Sequence, residues 1–367
     1  MSKYCVFCGG IPENKNKEHI IPRWLINKTG NPNRTINLGM DFKSRDPEKR
    51  IRSYAFNQLT LPACEKCNSK FGILENKVKP VIENIVDNNF LSIQDVSILL
   101  DWFDKVRVGL WHYYYIMNEN PMWIKPHLFI NNRTRKFDRV LFIYRAENDN
   151  DGINFVGTDT FLFQLAPSAF MLRINNYYFV NISFPFLLAK RFGLPFGISK
   201  GFEKSDLDKT WFEIYSGSGK VQYPLMKCDH FIGGTKIYQP ILYEDFPPEV
   251  FKNIYDNEYV RTQCIDWGER LVRPQVFQNN KQAEENDEGK IYFEAVKDNS
   301  KSLYYKLICD IYEFQCELQE EQNSINYENN IDMIDNTNAI EYNKMMVKKL
   351  CEEMITKSSF VPPFIKL

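Results

Sequence analysis

Apolar residues recur at three- and four-residue steps in four stretches of the chain, with a block of strand-like runs between the second and the third. Phe71, Leu74, Val78, Val81, Ile82 and Ile85 make one stripe, which predicts a helix beginning near Cys67. Asn68 lies at its start, and Pro80 is expected to kink it or end its first segment. A second helix is expected over 92–117, with Val96, Leu99, Leu100, Phe103, Val106, Leu110 and Trp111 on one buried face. Its aromatic end, Trp111 to Tyr115, could stack bases, but the burial habits of such residues favour a core helix. His112 and His127 are then structural. Residues 140–144, 161–165, 170–174 and 177–184 read as strands, with turns at 149–152 and at Asn175-Asn176. After a polar break at 284–289, a helix is predicted over 302–321, then a linker or exposed loop at 323–338, dense in Asn and Asp. An amphipathic helix over 340–355 follows, for packing or dimerisation. At the other end, residues 18–22 read as extended, because Ile favours strands and Pro22 biases Ile21 away from helix. Residues 25–56, rich in Asn, Lys and Arg, read as an inserted loop.

The pattern predicts an α+β chain of three parts. Residues 1–90 form a first domain, residues 91–322 a larger α+β recognition or sensor domain with an antiparallel sheet, and residues 323–367 a polar linker and C-terminal helix. The length of 367 residues suits about two domains of ordinary size. No apolar run is long enough for a membrane span. The most apolar region, 177–196, carries Lys190 and Arg191 and is broken by Pro185 and Pro195. The first residues lack the apolar core of a signal peptide, so a cytoplasmic location and no membrane partner are expected. The formal net charge is −1. Residues 1–90 nevertheless hold 15 Lys and Arg against 9 Asp and Glu, a basic footprint that a polyanion or merely a solvated face would explain. No glycine-rich phosphate loop occurs, and no ATPase activity is expected.

Candidate chemistry gathers in the first domain. The nine cysteines do not form an obvious disulfide framework. Cys5 and Cys8 make one Cys-x2-Cys pair, with Gly9 and Gly10 supplying a tight turn, and Cys64 and Cys67 make another. Two such pairs are what a tetrahedral four-thiolate zinc site needs. The other cysteines, Cys228, Cys264, Cys309, Cys316 and Cys351, read mostly as buried free thiols. Cys228-Asp229-His230 could hold a metal or pair a nucleophile with a base, against the plainer reading of a packed or surface pair. Between the two Cys pairs stands Glu18-His19-Ile20-Ile21-Pro22-Arg23-Trp24, and after the second comes Asn68-Ser69-Lys70-Phe71. Trp24 reads as core.

These residues resemble the HNH endonucleases of the His-Me finger superfamily, in their zinc-bound form with four cysteines. The resemblance implies a ββα-metal finger in which Cys5, Cys8, Cys64 and Cys67 bind a structural zinc. It further implies that His19 is the general base and that Glu18 and Asn68 hold a catalytic Mg2+ or Mn2+. Leu59 stands where the family has its middle Asn, and Asn57 is the nearest candidate. The expected activity is hydrolysis of DNA phosphodiester bonds: the imidazole accepts the water proton, and the metal offsets charge on the phosphate and leaving oxygen. Arg23 and Lys70 are candidates for contacts to flanking phosphates, with Arg23 equally suited to a salt bridge. Glu75, seven residues after Asn68 and on the same helical face, could support the site or be a solvated charge. Chains of this layout look like prokaryotic defence effectors. Two other readings stay open: a zinc-stabilised nucleic-acid-binding protein without catalysis, and a nuclease gated by a nucleotide signal or partner through the C-terminal region, which could also carry a homo-oligomer contact.

Overall fold

The computed structural model describes residues 4–12, 16–40, 51–117, 128–135, 137–147, 151–184, 187, 196–203, 206–215, 230–239, 264–266, 271–272, 274, 275–279, 281–284, 286–296, 300–326 and 330–356. His127 and Cys228 lie outside these residues.

Along the chain, β1 (Lys17–His19) and helix α1 (Arg23–Lys28) precede β2 (Thr35–Met40), β3 (Ile51–Ala55), a 3-10 turn (Phe56–Gln58) and β4 (Thr60–Pro62). The stretch read as an inserted loop therefore carries regular elements of its own. It opens with α1, and β2 and β3 pair antiparallel, Ile36 opposite Tyr54. Sequence periodicity missed this because the elements are short and, among the described side chains of the hairpin and its following turn, Ile36 and Phe56 are the ones buried, with Leu25 and Ile26 of α1. Helix α2 (Glu65–Asn88) is a single helix in which Pro80 lies within the run rather than at a boundary. It ends at Asn89, whose φ of +58° provides the left-handed cap.

After β5 (Phe90–Ser92) comes α3 (Val96–Met117), which differs most from its sequence reading. The amphipathic stripe is there, but Asp101, Asp104, Lys105, Arg107 and His112 are buried as well. Helix α3 is the spine of the molecule. The aromatic end is core: Trp111 Nε1 donates to the Gln164 carbonyl at 2.9 Å.

The remaining elements are α4 (Ile130–Arg133), β6 (Asp138–Ala146), β7 (Ile153–Val156), α5 (Phe161–Leu165), β8 (Ala169–Ile174) and β9 (Tyr177–Phe184). They are followed by β10 (Phe196–Glu203), β11 (Asp206–Tyr215), β12 (Thr235–Gln239), β13 (Cys264–Asp266), β14 (Leu271–Val272), β15 (Gln275–Gln278), β16 (Lys281–Gln282), β17 (Lys290–Tyr292) and β18 (Ala295–Val296). Two long helices close the chain, α6 (Ser300–Asn326) and α7 (Asn330–Thr356). The main sheet runs in the order β16-β15-β12-β6-β9-β8-β7, with β18 parallel to β6. The Asn175-Asn176 hairpin is present, with Ile174 opposite Tyr177 and Asn175 at φ +52°. Residues 161–165 are a helix rather than a strand, because the Thr160 hydroxyl caps the turn by accepting from the Phe163 N–H at 3.1 Å. Helix also replaces the expected linker, since α6 runs to Asn326 and α7 starts at Asn330. Weak Asn and Asp propensities are overridden by packing of α7 on α6, seen in the Lys344–Glu320 ion pair and the buried Cys351 beside Cys309.

Both faces of the sheet are covered. Leu141, Ile143, Leu172 and Phe179 join the core around α3, and the alternating Val140, Phe142, Tyr144, Met171 and Val180 join a second core with Leu307, Ile311 and Phe314 of α6. The first core also takes in Cys5, Ile20, Leu61, Phe71 and Ile82. Apolar packing thus crosses residue 90 without a break, and the expected domain boundary there is not a boundary of the core. The architecture is mixed helix and sheet, as an α+β reading requires. No helix among the described residues is long and apolar enough to cross a membrane.

Candidate metal centre and adjoining polar site

The first Cys pair sits in a loop closed by two backbone bonds, Gly9 N–H to Cys5 O at 2.8 Å and Cys5 N–H to Gly10 O at 2.7 Å. Gly9 adopts φ +77°, and a Cβ there would lie 2.8 Å from the Phe129 ring, so both conformation and space require glycine. The second pair is set by the start of α2. Cys64 is the extended residue before the helix, Cys67 lies in the first turn, and the Cys64 N–H donates to Cys5 Sγ at 3.3 Å. The four sulfurs of Cys5, Cys8, Cys64 and Cys67 all lie within 4.8 Å of one another. Four thiolates at the usual Zn–S distance are about 3.8 Å apart along each edge of the tetrahedron. Cys8 and Cys64 already stand at 4.0 Å. This donor set could hold a tetrahedral divalent ion.

A segment far away in sequence closes over the cluster. The Ile130 N–H donates to Val6 O and the Asn131 N–H to Phe7 O, at 3.1 and 2.9 Å. The Asn131 side chain then donates to Cys67 Sγ at 3.6 Å. Donors of this kind support negative charge on a ligating sulfur. Nothing in the local sequence around Asn131 marks it for this position.

Strand β1 pairs antiparallel with β4, Glu18 opposite Leu61 and His19 opposite Thr60, and β4 leads through Cys64 directly into α2. Pro22 ends the extended run, after a last bond from Ile20 N–H to Leu59 O at 3.1 Å. His19 is half-buried, and its Nδ1 is a buried atom with no hydrogen-bond partner. Burial holds its pKa below the ordinary histidine value; Glu18 opposes that shift, and Arg23 and Lys105 add to it. Asn68 lies in the first turn of α2, its N–H donating to Cys64 O at 2.9 Å, and its Oδ1 is likewise buried and unpartnered. Arg23 and Lys70 are exposed. The Lys70 ammonium reaches Asn131 Oδ1 at 3.5 Å and lies over the Phe71 ring. Asn57 does not join this group. Its side-chain amide donates to Asn33 Oδ1 at 2.8 Å and ties the 3-10 turn to the residues before β2. Trp24 packs against the core, as expected.

The residue that joins these elements is Lys105 of α3. Its side chain is 1% exposed, and its ammonium donates to Glu18 Oε1 at 2.8 Å, to the His19 carbonyl at 3.0 Å and to Glu75 Oε1. Glu75 is thus part of the site and not a solvated charge. Burial raises its pKa to about 7; Lys105 opposes that shift and the nearby Glu18 carboxylate adds to it. A signal for Lys105 was present in the sequence. Asp101, Asp104, Lys105 and Arg107 interrupt an otherwise apolar helix, and charges in such a setting need buried partners. Which partners could not be read.

A second polar cluster lies on α6. His230 Nε2 is 2.7 Å from Glu317, and its Nδ1 is 3.6 Å from both Asp310 and Glu313. Hydrogen bonds to Asp310 and Glu317 push the imidazole pKa up to about 10. His230, Asp310 and Glu313 together are a donor set that could hold a metal ion, and without one the cluster is an ion-paired staple. The Phe231 N–H strengthens it by donating to Asp310 at 2.9 Å. Cys309, Cys316 and Cys351 are buried free thiols, as expected.

Comparison of the chain with protein-family models, with curated proteins and with solved structures finds no match in any of the three.

Proposed function

We propose that the chain is a metal-dependent endonuclease of the HNH type, built on a ββα finger with a structural zinc at Cys5, Cys8, Cys64 and Cys67, and that it hydrolyses DNA. One observation carries this reading. Two strands and a helix, fastened at the four-sulfur cluster, hold two buried polar atoms with no partner, His19 Nδ1 and Asn68 Oδ1. Buried polar groups are nearly always paired, so an orphaned acceptor calls for a ligand, a water or an ion. Core atoms such as Trp24 Nε1 and Trp102 Nε1 also lack a partner, and what sets His19 Nδ1 and Asn68 Oδ1 apart is their place on the elements fastened at the four-sulfur cluster.

In this reading the His19 imidazole takes the proton of the attacking water. Glu18 and Asn68 supply oxygen donors that suit Mg2+ or Mn2+, which when bound would offset charge on the phosphate and leaving oxygen. Exposed Arg23 and Lys70 hold flanking phosphates by charge-assisted hydrogen bonds. The four-thiolate zinc does no chemistry, because a closed shell leaves no position for water or substrate. The basic surplus of residues 1–90 supports a polyanionic substrate. A role as a prokaryotic defence effector rests on the family resemblance alone.

A second reading has its own observation. Glu18, the proposed metal ligand, already accepts from the buried Lys105 ammonium, as it would in a zinc-stabilised nucleic-acid-binding protein without catalysis. Plasmid cleavage by the full chain with added Mg2+ or Mn2+, beside an EDTA control and His19→Ala, separates the two. Cleavage that needs both the metal and His19 is expected. Inert protein that is folded and zinc-loaded would overturn the nuclease reading in favour of binding alone.

A further inference from the structure

We propose that Lys105 is a positioning residue of the His19 site, so that the working site is a composite of the finger and α3. This inference rests on the reading of Glu18 and His19 given above.

A lysine ammonium has three donors. All three are used here, on Glu18 of β1, on Glu75 of α2 and on the carbonyl of His19 itself. One side chain therefore fixes the direction of the proposed metal-binding carboxylate and the backbone of the proposed base. It also fixes both against α2, the helix that presents Asn68 two turns before Glu75. Taking an ammonium out of water is costly, and surface packing does not require it. An apolar residue would fill the same place between Asp104 and Val106 with less desolvation.

Helix α3 grips the same strand again one turn later. A Cβ on Gly109 would lie 3.0 Å from Ile20 Cγ2, so the helix backbone comes as close to the strand as a glycine allows. Residues 18 to 20 are thus held at two successive turns of α3, by charge and by close approach. Excising residues 1–90 would remove both holds. Glu18 and Glu75 together with Lys105 carry a net charge of −1 when all three are ionised, so Lys105 also moderates the attraction of this corner for a cation.

Charge and placement can be separated with three variants of the full chain. Lys105→Met leaves two carboxylates and raises the negative charge. Lys105→Met combined with Glu75→Gln restores the original net charge without the ammonium. Lys105→Arg keeps the charge and changes the reach. Each is measured for zinc content, thermal melting, Mn2+ binding by calorimetry without DNA, and cleavage across a Mn2+ titration.

If Lys105 positions the site, Lys105→Met binds Mn2+ several-fold more tightly yet turns over at least tenfold more slowly. The double variant keeps the original Mn2+ affinity and shares the loss of kcat. Lys105→Arg keeps the affinity with an intermediate kcat. A merely structural lysine would lower the folded fraction and leave the kcat per folded molecule unchanged in all three variants, which would overturn the proposal. Should Lys105→Met fail to fold, the charge-balanced double variant and Lys105→Arg decide it on the same two readouts. A full chain that cuts no DNA but shows the affinity shift sinks the nuclease reading alone. Absence of Mn2+ binding in every variant sinks both.

Discussion

Helix α3 serves two buried charge systems, and they differ in what they leave unmet. Towards the sheet, Asp101 meets Arg139 at 2.6 Å and Arg135 at 2.6 Å, and Asp104 meets Arg107 at 2.7 Å and Arg139 at 3.1 Å. Arg107 also reaches Asn181 of β9, and Arg139 Nε reaches Gln239 of β12 at 3.0 Å. Every carboxylate in this group has an arginine. Towards β1 and α2, Lys105 satisfies Glu18 and Glu75, but His19 Nδ1 and Asn68 Oδ1 beyond them have no partner. In the first system every charge is paired, and the buried Arg107 Nε, a spare donor of an already paired guanidinium, is left without a partner. The second is finished only on the side facing the protein, which is the form expected of a site whose remaining partners are solvent, metal or substrate.

The sharpest way to break the comparison is to remove the four-sulfur cluster that fastens β4 and α2 to the N-terminal loop. Cys64→Ser should lose bound zinc and lower the melting temperature by more than about 10 °C, because zinc binding in small metal domains is worth on the order of 10 kcal/mol of folding free energy. An unchanged melt in protein that never contained zinc would refute the structural role of the metal. A smaller effect is expected at the open system itself. His19→Ala should cut cleavage by about 10²- to 10⁴-fold, the usual scale of general base catalysis, while urea stability stays within about 1 kcal/mol. Cleavage that survives the substitution removes His19 from the mechanism.

The first system should behave in the opposite sense. Arg139→Leu leaves Asp101 with Arg135 and Asp104 with Arg107 but removes the link from both to β6 and Gln239, and should cost about 1.5–3 kcal/mol in urea unfolding, with cleavage per folded molecule unchanged. A loss below about 1 kcal/mol would mean that the network is not what joins α3 to the sheet.

The His230 staple comes last, because solvent screens its half-exposed partners Glu313 and Glu317 and only a fraction of its pairing energy survives as stability. Its folded pKa is raised to about 10, so its pairing stabilises fully below the unfolded value of about 6.5 and is lost as pH rises through the folded one. Asp310, Glu313 and Glu317 are the charges that face it. Urea unfolding between pH 6 and 10.5 should show a declining stability difference between the original chain and His230→Gln. A difference that does not change with pH would rule out a charged imidazole.

How far each feature could be read in advance follows from the range of the forces that set it. The α2 stripe, the Asn175-Asn176 hairpin and the two Cys-x2-Cys pairs are local patterns, in which spacing alone implies a face, a turn or a chelating loop. Residues 161–165 misled because five apolar residues suit strand and helix alike, and a single capping hydroxyl at Thr160 decided between them. The expected linker misled because composition says little about a helix that packs along another.

By itself the sequence determined that Cys5, Cys8, Cys64 and Cys67 form two pairs of chelating spacing, that Glu18-His19 lies in a strand ended by Pro22, and that Asn68 opens a helix. Tertiary structure alone decided that Lys105, 87 residues from Glu18, would join that strand to α2, and that Asn131, 64 residues from Cys67, would reach its sulfur. The reason is physical. Periodicity and turn chemistry are properties of neighbouring residues, whereas the partner of a buried charge is chosen by which elements the shared core brings together.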